Sequence, residues 1–186
     1  MRSQKTIQMA EIALMSAVLC VLAPFIIPIP ISPVPLSLAT FAVYLAGVLL
    51  GAKKGTACVM IYLLLGMVGL PVFSGLSGGV GVLLGPTGGY LVGYIPCVFV
   101  TGRLLEHGGT VGQKKQRVVW YAFAMAFGTI LCYVLGTAWF MFVMDGTYTV
   151  SQALLVCVVP YLVFDMVKIL AVAAIAVPIR KILRRI

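Results

Sequence analysis

Apolar residues run almost without interruption through six stretches of the chain, 6–27, 37–50, 56–70, 87–105, 118–144 and 151–177. Short segments between them hold most of the charged residues. The longer runs reach the roughly 20 residues that a helix needs to cross a hydrocarbon core of about 30 Å. Strands of a membrane barrel would instead alternate over roughly 10 residues. The pattern predicts an all-α integral membrane protein, a bundle of six transmembrane helices forming one domain over residues 1–186. The second and third runs are short. They predict tilted helices, or helices that leave the bilayer early into backbone held by protein.

Composition agrees with the pattern. Hydrophobic residues make up 62% of the chain and charged residues 9%, against about 25% charged in a soluble domain. That excludes a water-soluble globule, and the hydrophobicity excludes disorder. The net charge of +9 would suit nucleic acid if it were gathered in one patch, but it is divided. Arg2 and Lys5 precede the first run, and Lys53 and Lys54 lie between the second and third. Arg103, Lys114, Lys115 and Arg117 lie at or between the ends of the fourth and fifth. Arg180, Lys181, Arg184 and Arg185 follow the sixth. The other connections, 28–36, 71–86 and 145–150, contain no Lys or Arg. Positive-inside asymmetry therefore predicts a multi-pass protein of the cell membrane with both termini cytoplasmic, and it leaves nucleic acid no role. The first run is long enough to span and no small-residue cleavage site follows it, so it reads as a helix rather than a signal peptide. Five cysteines, Cys20, Cys58, Cys97, Cys132 and Cys157, are scattered singly; they are expected to be buried free thiols without a metal or disulfide framework.

Two of the uncharged connections are expected to form ordered extracytoplasmic loops over a pocket. The first contains Pro28, Pro30, Pro33 and Pro35, which exclude helix and favour a stiff extended path. The second runs from Pro71 to Pro86 with Gly75, Gly78, Gly79, Gly81 and Gly85. Glycine lets backbone approach a ligand closely. A phosphate loop is excluded there, because no GK[ST] follows and no lysine is near. Thr87, Gly88 and Gly89 then open the fourth helix, whose first amides face outward and could take an oxygen of a ligand.

The thirteenth basic residue, Lys168, lies inside the sixth run with Asp165 and Tyr161. Spacings of three and four place them on one helical face. Counting about 1.5 Å per residue from Arg180, Asp165 lies roughly 22 Å and Lys168 roughly 18 Å above the inner boundary, too deep for the lysine to reach the cytoplasm. An isolated charge there costs about 2.5–3.5 kcal/mol or more, so the two are expected to pair and to face the bundle interior. Asp165 would accept N–H bonds and Lys168 would donate to oxygen, while Pro160 bends the helix and opens space. Glu11 lies two turns into the first helix and is expected to reach the cytoplasmic interface; Glu106, His107 and Asp145 read as loop residues. One histidine makes no metal site, and no nucleophile–base pair occurs, so no enzyme activity and no cofactor are expected. Ala13 and Ala17 form a small-xxx-small face on which another helix can pack closely. No nucleotide motif or proton-relay chain is present, so another polypeptide is expected to supply energy. The alternative is an autonomous small-solute carrier or channel without ATPase partners.

The run Gly66-Met67-Val68-Gly69-Leu70-Pro71-Val72-Phe73-Ser74-Gly75, with Gly78-Gly79-Val80-Gly81 and Gly85-Pro86-Thr87-Gly88-Gly89-Tyr90, resembles the signature of the BioY family. Pro33-Val34-Pro35 and Pro160 with Asp165-x-x-Lys168 match as well, so the resemblance covers nearly the whole chain. These proteins are the biotin-specific substrate-binding S components of energy-coupling factor (ECF) transporters. The resemblance implies a six-helix protein with a biotin pocket near the extracytoplasmic face. It also implies assembly with a transmembrane coupling subunit and two cytoplasmic ATPases, which alone use ATP, and docking of the coupling subunit on Ala13 and Ala17. Asp165 and Lys168 would bind polar groups of biotin. Phe73, Tyr90, Tyr94 and Tyr161 would wall its bicycle, with Ser74, Gly79, Thr87, Gly88 and Gly89 nearby. Ala39 stands where relatives often have Gln, and Phe164 where they often have Gly.

Overall fold

The computed structural model describes residues 2–27, 34–108 and 114–183. They form α1 (Arg2–Leu22), β1 (Ile26–Ile27), β2 (Leu36–Ser37), α2 (Ala39–Met67), α3 (Val80–Leu84), α4 (Gly88–His107), α5 (Lys114–Val143), α6 (Val150–Cys157) and α7 (Val159–Leu183). Five helical stretches among them are long and apolar enough to cross a membrane: Gln4–Leu22, Ala39–Met67, Gly88–His107, Gln116–Val143 and Val150–Ala176. The stretch Gly88–His107, α4, is the most enclosed of the five and packs between α2 and α5. Large apolar side chains lie exposed along α1, α5 and α7, among them Leu14, Val21, Phe123, Phe127, Val163 and Val167. A surface of that kind is stable against lipid, not water.

The stretch Ala39–Met67 takes in most of both short predicted runs. Its helical conformation breaks at Gly51 (φ 78°, ψ −172°), a backbone region that only glycine enters at little cost. The second arm doubles back on the first. A Cβ placed on Gly55 would come within 3.0 Å of the Ala46 carbonyl oxygen, whereas nine residues of continuous helix span about 13 Å. The connection expected over 51–55 is thus a break at a single residue, and the second arm, with Lys53 and Lys54 in its first turn, is helical at once. Glu106 explains how so abrupt a restart is tolerated. Its Oε1 accepts the Ala52 amide at 2.8 Å, satisfying one of the orphan donors of the new helix start. Glu106 and His107 therefore end a helix, with Glu106 in a structural contact, rather than standing in a free loop. Glu11 pairs with Lys54 at 2.7 Å, which ties α1 to this turn.

The first helix is shorter at its C-terminal end than its apolar run. It stops at Leu22, and Ile26–Ile27 pairs antiparallel with Leu36–Ser37, with Ile26 opposite Ser37 and Ile27 opposite Leu36. Pro24 and the following prolines disfavour further helix. The expected stiff segment's Pro28, Pro30 and Pro33 lie outside the described residues, as do Arg184 and Arg185 of the last basic cluster. Ser37 starts no helix. Its Oγ donates to the Ala23 carbonyl at 2.7 Å and accepts the Ala39 amide at 2.9 Å, closing the hairpin and opening α2. The glycine-rich connection contains one turn of helix, α3, where irregular backbone was expected. The last apolar run divides at Val158 into α6 and α7. Pro160, lacking an N–H, is the cause of the bend expected there.

Candidate binding site

At the end of the bundle that carries the β1–β2 hairpin and the glycine-rich connection lies a cavity of about 200 Å³. Its wall comes from the first hairpin (Val34, Leu36, Ser37), α2 (Thr40, Tyr44), the glycine-rich connection and α3 (Phe73, Ser74, Val82), α4 (Thr87, Tyr90, Tyr94), α5 (Thr129, Tyr133) and α7 (Tyr161, Asp165, Lys168). Its surface is mostly apolar, with polar groups set among the apolar ones, the usual character of a small-metabolite site.

Asp165 and Lys168 form an ion pair at 3.1 Å, and both residues are buried, at 5% and 8% exposure. The pair belongs to a larger cluster. Lys168 Nζ also donates to the Ser37 carbonyl at 2.7 Å and to Thr40 Oγ1 at 2.8 Å. Thr40 in turn donates to Asp165 Oδ1 at 3.2 Å, and the Tyr133 hydroxyl donates to Asp165 Oδ2 at 2.5 Å. The hairpin register places the Ser37 carbonyl over the lysine. Thr40, in the first turn of α2, and Tyr133, deep in α5, close the cluster from two other helices. A charge pair in a low-dielectric interior is tolerated only when further hydrogen bonds satisfy it, and three groups from three elements do so here, through four hydrogen bonds.

The aromatic wall is fixed from behind. Phe73 is fully buried and meets Tyr62 edge-on, with ring centroids 5.4 Å apart. A Cβ on Gly66 would run into the Phe73 ring. The Tyr90 hydroxyl pairs with Thr137 at 3.1 Å, and the Tyr90 ring occupies the space that Gly136 leaves. The Tyr161 hydroxyl donates to the Val34 carbonyl, and Tyr44 pairs with Thr129 at 2.6 Å. Trp139 Nε1 donates to the Gly85 carbonyl at 3.0 Å, fastening the end of α3 to α5.

Eight of the residues expected at the site from the sequence line the cavity: Asp165, Lys168, Tyr161, Phe73, Ser74, Thr87, Tyr90 and Tyr94. Gly79, Gly88 and Gly89 are not on its wall. A side chain on Gly88 would strike the Leu83 carbonyl, and one on Gly89 would strike Trp139. These two glycines let α4 pass close to α3 and α5. The Gly88 amide donates to the Gly85 carbonyl at 3.0 Å, so it is not a vacant donor. Gly79 takes φ 96° before α3 and donates its amide to the Gly66 carbonyl at 2.7 Å. Ser37, Thr40, Tyr44, Thr129 and Tyr133 were not anticipated. The signal that would have found most of them is a polar or tyrosine pair four residues apart within an apolar helix: Thr40 with Tyr44, and Thr129 with Tyr133, like Tyr90 with Tyr94 and Tyr161 with Asp165. Cys97, Cys132 and Cys157 also line the cavity as free thiols. On α1, far from this site in sequence, Ala13 and Ala17 are exposed.

Comparison with known proteins follows the same lines. The BioY family model matches residues 1–185. The chain is 41% identical over 157 residues to the biotin transporter BioY of Thermotoga maritima, covering 84% of this chain and 86% of that protein. It is 35% identical over 172 residues to the biotin transporter BioY2 of Lactococcus lactis subsp. cremoris, covering 92% and 89%. The fold is similar to a crystal structure of the S-component for biotin from an ECF-type ABC transporter, with a TM-score of 0.86 and 29% identity over 97% of this chain and 94% of that one. The chain belongs to the BioY family.

Proposed function

We propose that the chain is the biotin-binding S component of an ECF-type vitamin uptake transporter. The observation that carries the reading is the buried Asp165–Lys168 pair on the wall of an otherwise apolar, tyrosine-lined cavity. Biotin matches that chemistry. Its ureido ring offers two N–H donors and one carbonyl, its sulfur-containing bicycle and chain are apolar, and its tail is a carboxylate. Asp165 takes a ureido N–H, and Phe73, Tyr90, Tyr94 and Tyr161 enclose the bicycle, with Ser74 and Thr87 at the rim.

The whole chain acts as one six-helix binding domain, the two arms of α2 each crossing part of the bilayer. Lys53, Lys54 and Arg103 lie at the opposite end from the cavity, beside the Gly51 turn, which supports a cytoplasmic position for that end and for both termini. The cavity then opens outward, where biotin is captured. The exposed Ala13 and Ala17 of α1 support docking of a transmembrane coupling subunit, and two ATPases of the same assembly supply the energy. The chain itself binds without catalysis.

Equilibrium binding of radiolabelled biotin to the detergent-purified chain tests the reading. Saturable binding at or below micromolar concentration is expected. No binding in that range overturns biotin as the ligand.

A further inference from the structure

The hydrogen-bond capacity of the charged cluster can be counted atom by atom. A lysine ammonium has three protons and no acceptor. In Lys168 all three are engaged by protein, at the Ser37 carbonyl, Thr40 Oγ1 and Asp165 Oδ1. Thr40's single hydroxyl proton goes to Asp165 Oδ1, and Tyr133's to Asp165 Oδ2. No proton in the cluster is left for a ligand. Acceptor positions are left: a carboxylate offers about four, of which two on Oδ1 and one on Oδ2 are in use. The vacancy is therefore on Oδ2, the oxygen held by Tyr133, and both residues line the cavity.

We propose that Tyr133 is a positioning residue that sets ligand selectivity by holding Asp165 Oδ2 as an acceptor for an N–H donor of the ligand. Lys168 serves as the counter-ion that keeps Asp165 charged and oriented, and does not grip the ligand's anionic tail. This rests on the biotin reading above, in which Asp165 takes a ureido N–H, and it adds that the carboxylate lies away from Lys168. The tyrosine acts through the carboxylate. Without its hydroxyl, Oδ2 loses the bond that fixes its direction, and the preference for N–H over a blocked nitrogen falls with it.

The test uses the full chain in detergent and three ligands: biotin, biotin methylated on a ureido nitrogen, and biotin methyl ester. A hydrogen bond to a charged group corresponds to roughly 10- to 100-fold in affinity. In the unaltered chain, ureido methylation is expected to weaken binding by that much and esterification by clearly less. In Tyr133→Phe, biotin affinity is expected to fall about tenfold. The penalty for ureido methylation shrinks towards parity, and the penalty for the ester stays as it was. A Tyr133→Phe protein that keeps the unaltered affinity, or that loses the same factor for all three ligands, overturns the proposal, since a merely structural tyrosine would leave the ratios unmoved. Should that variant not fold, the unaltered chain decides, because a larger penalty for the ester than for ureido methylation places the tail on Lys168 and overturns it. Failure of the unaltered chain to bind biotin at all is a separate result, which removes the biotin reading and this proposal together.

Discussion

Replacing Lys168 with alanine is expected to lower biotin affinity by about a hundredfold or more and to lower the melting temperature of the empty protein as well. Removing one member of a buried ion pair costs about 3–5 kcal/mol, because the surviving charge stays in a medium that cannot solvate it. Here the survivor is Asp165, 5% exposed and still bonded to Thr40 and Tyr133. The same substitution removes the bonds that hold the Ser37 carbonyl and Thr40 in place, so the hairpin and α2 lose their tie to α7 at the cavity wall. Asp165→Asn should weaken binding comparably while keeping the shape of the side chain. A third variant separates packing from recognition. Replacing both residues by apolar ones of similar size, Asp165→Leu with Lys168→Met, removes the desolvation cost along with the pair and commonly restores or raises stability. That double variant should melt no lower than the unaltered chain and bind no biotin. Biotin binding by the double variant would reduce the pair to a packing device.

Gly102→Ala is expected to give the largest loss of stability away from the cavity, about 1–3 kcal/mol for overpacking a close contact. A Cβ at Gly102 would lie inside the contact distance of the Gly51 and Ala52 backbone. Backbone cannot swing aside as a flexible side chain can. The helices α2 and α4 must separate at the Gly51 turn, and the Glu106 bond to the Ala52 amide lengthens with them. Nearby, Gly47 faces the Val98 carbonyl at 3.2 Å from its would-be Cβ, so the crossing has no slack on that side. Gly81→Ala is the matched control. Gly81 lies within the short helix α3, and a Cβ there meets nothing within 4 Å, so its melting temperature should hold or rise slightly, since alanine is the better helix former. Thermal unfolding in detergent, followed by the loss of monodisperse protein, measures both. The folded fraction of Gly102→Ala should still bind biotin, because the substitution lies at the opposite end from the cavity.

The Asp165–Lys168 pair was legible in the sequence because a charge in an apolar run has few physical excuses, and spacing alone put acid and amine on one face. The bend at Pro160 was legible for a similar reason, since a missing N–H has one local consequence. The groups that complete the cluster were harder to read. Thr40, Thr129, Tyr44 and Tyr133 are tolerated in an apolar helix whether or not they face a cavity, so residue type alone did not mark them. Glycines were read for the wrong service. Gly88 and Gly89 suggested close approach of a ligand, but the space beside them is filled by the Leu83 carbonyl and Trp139, and sequence tells that a position must be small without telling what occupies the room. The Gly51 turn shows the same limit. Lys53 and Lys54 marked a connection between two apolar runs correctly, but the length of the break depended on a carboxylate from α4, Glu106, that no local pattern ties to Ala52.

A structure of the chain with biotin bound tests the central claim most directly. The ureido ring is expected within hydrogen-bond distance of Asp165, with the bicycle among Phe73, Tyr90, Tyr94 and Tyr161 and the ion pair to Lys168 intact. Biotin seated outside this cavity, or inside it with no polar atom near Asp165, would contradict the claim.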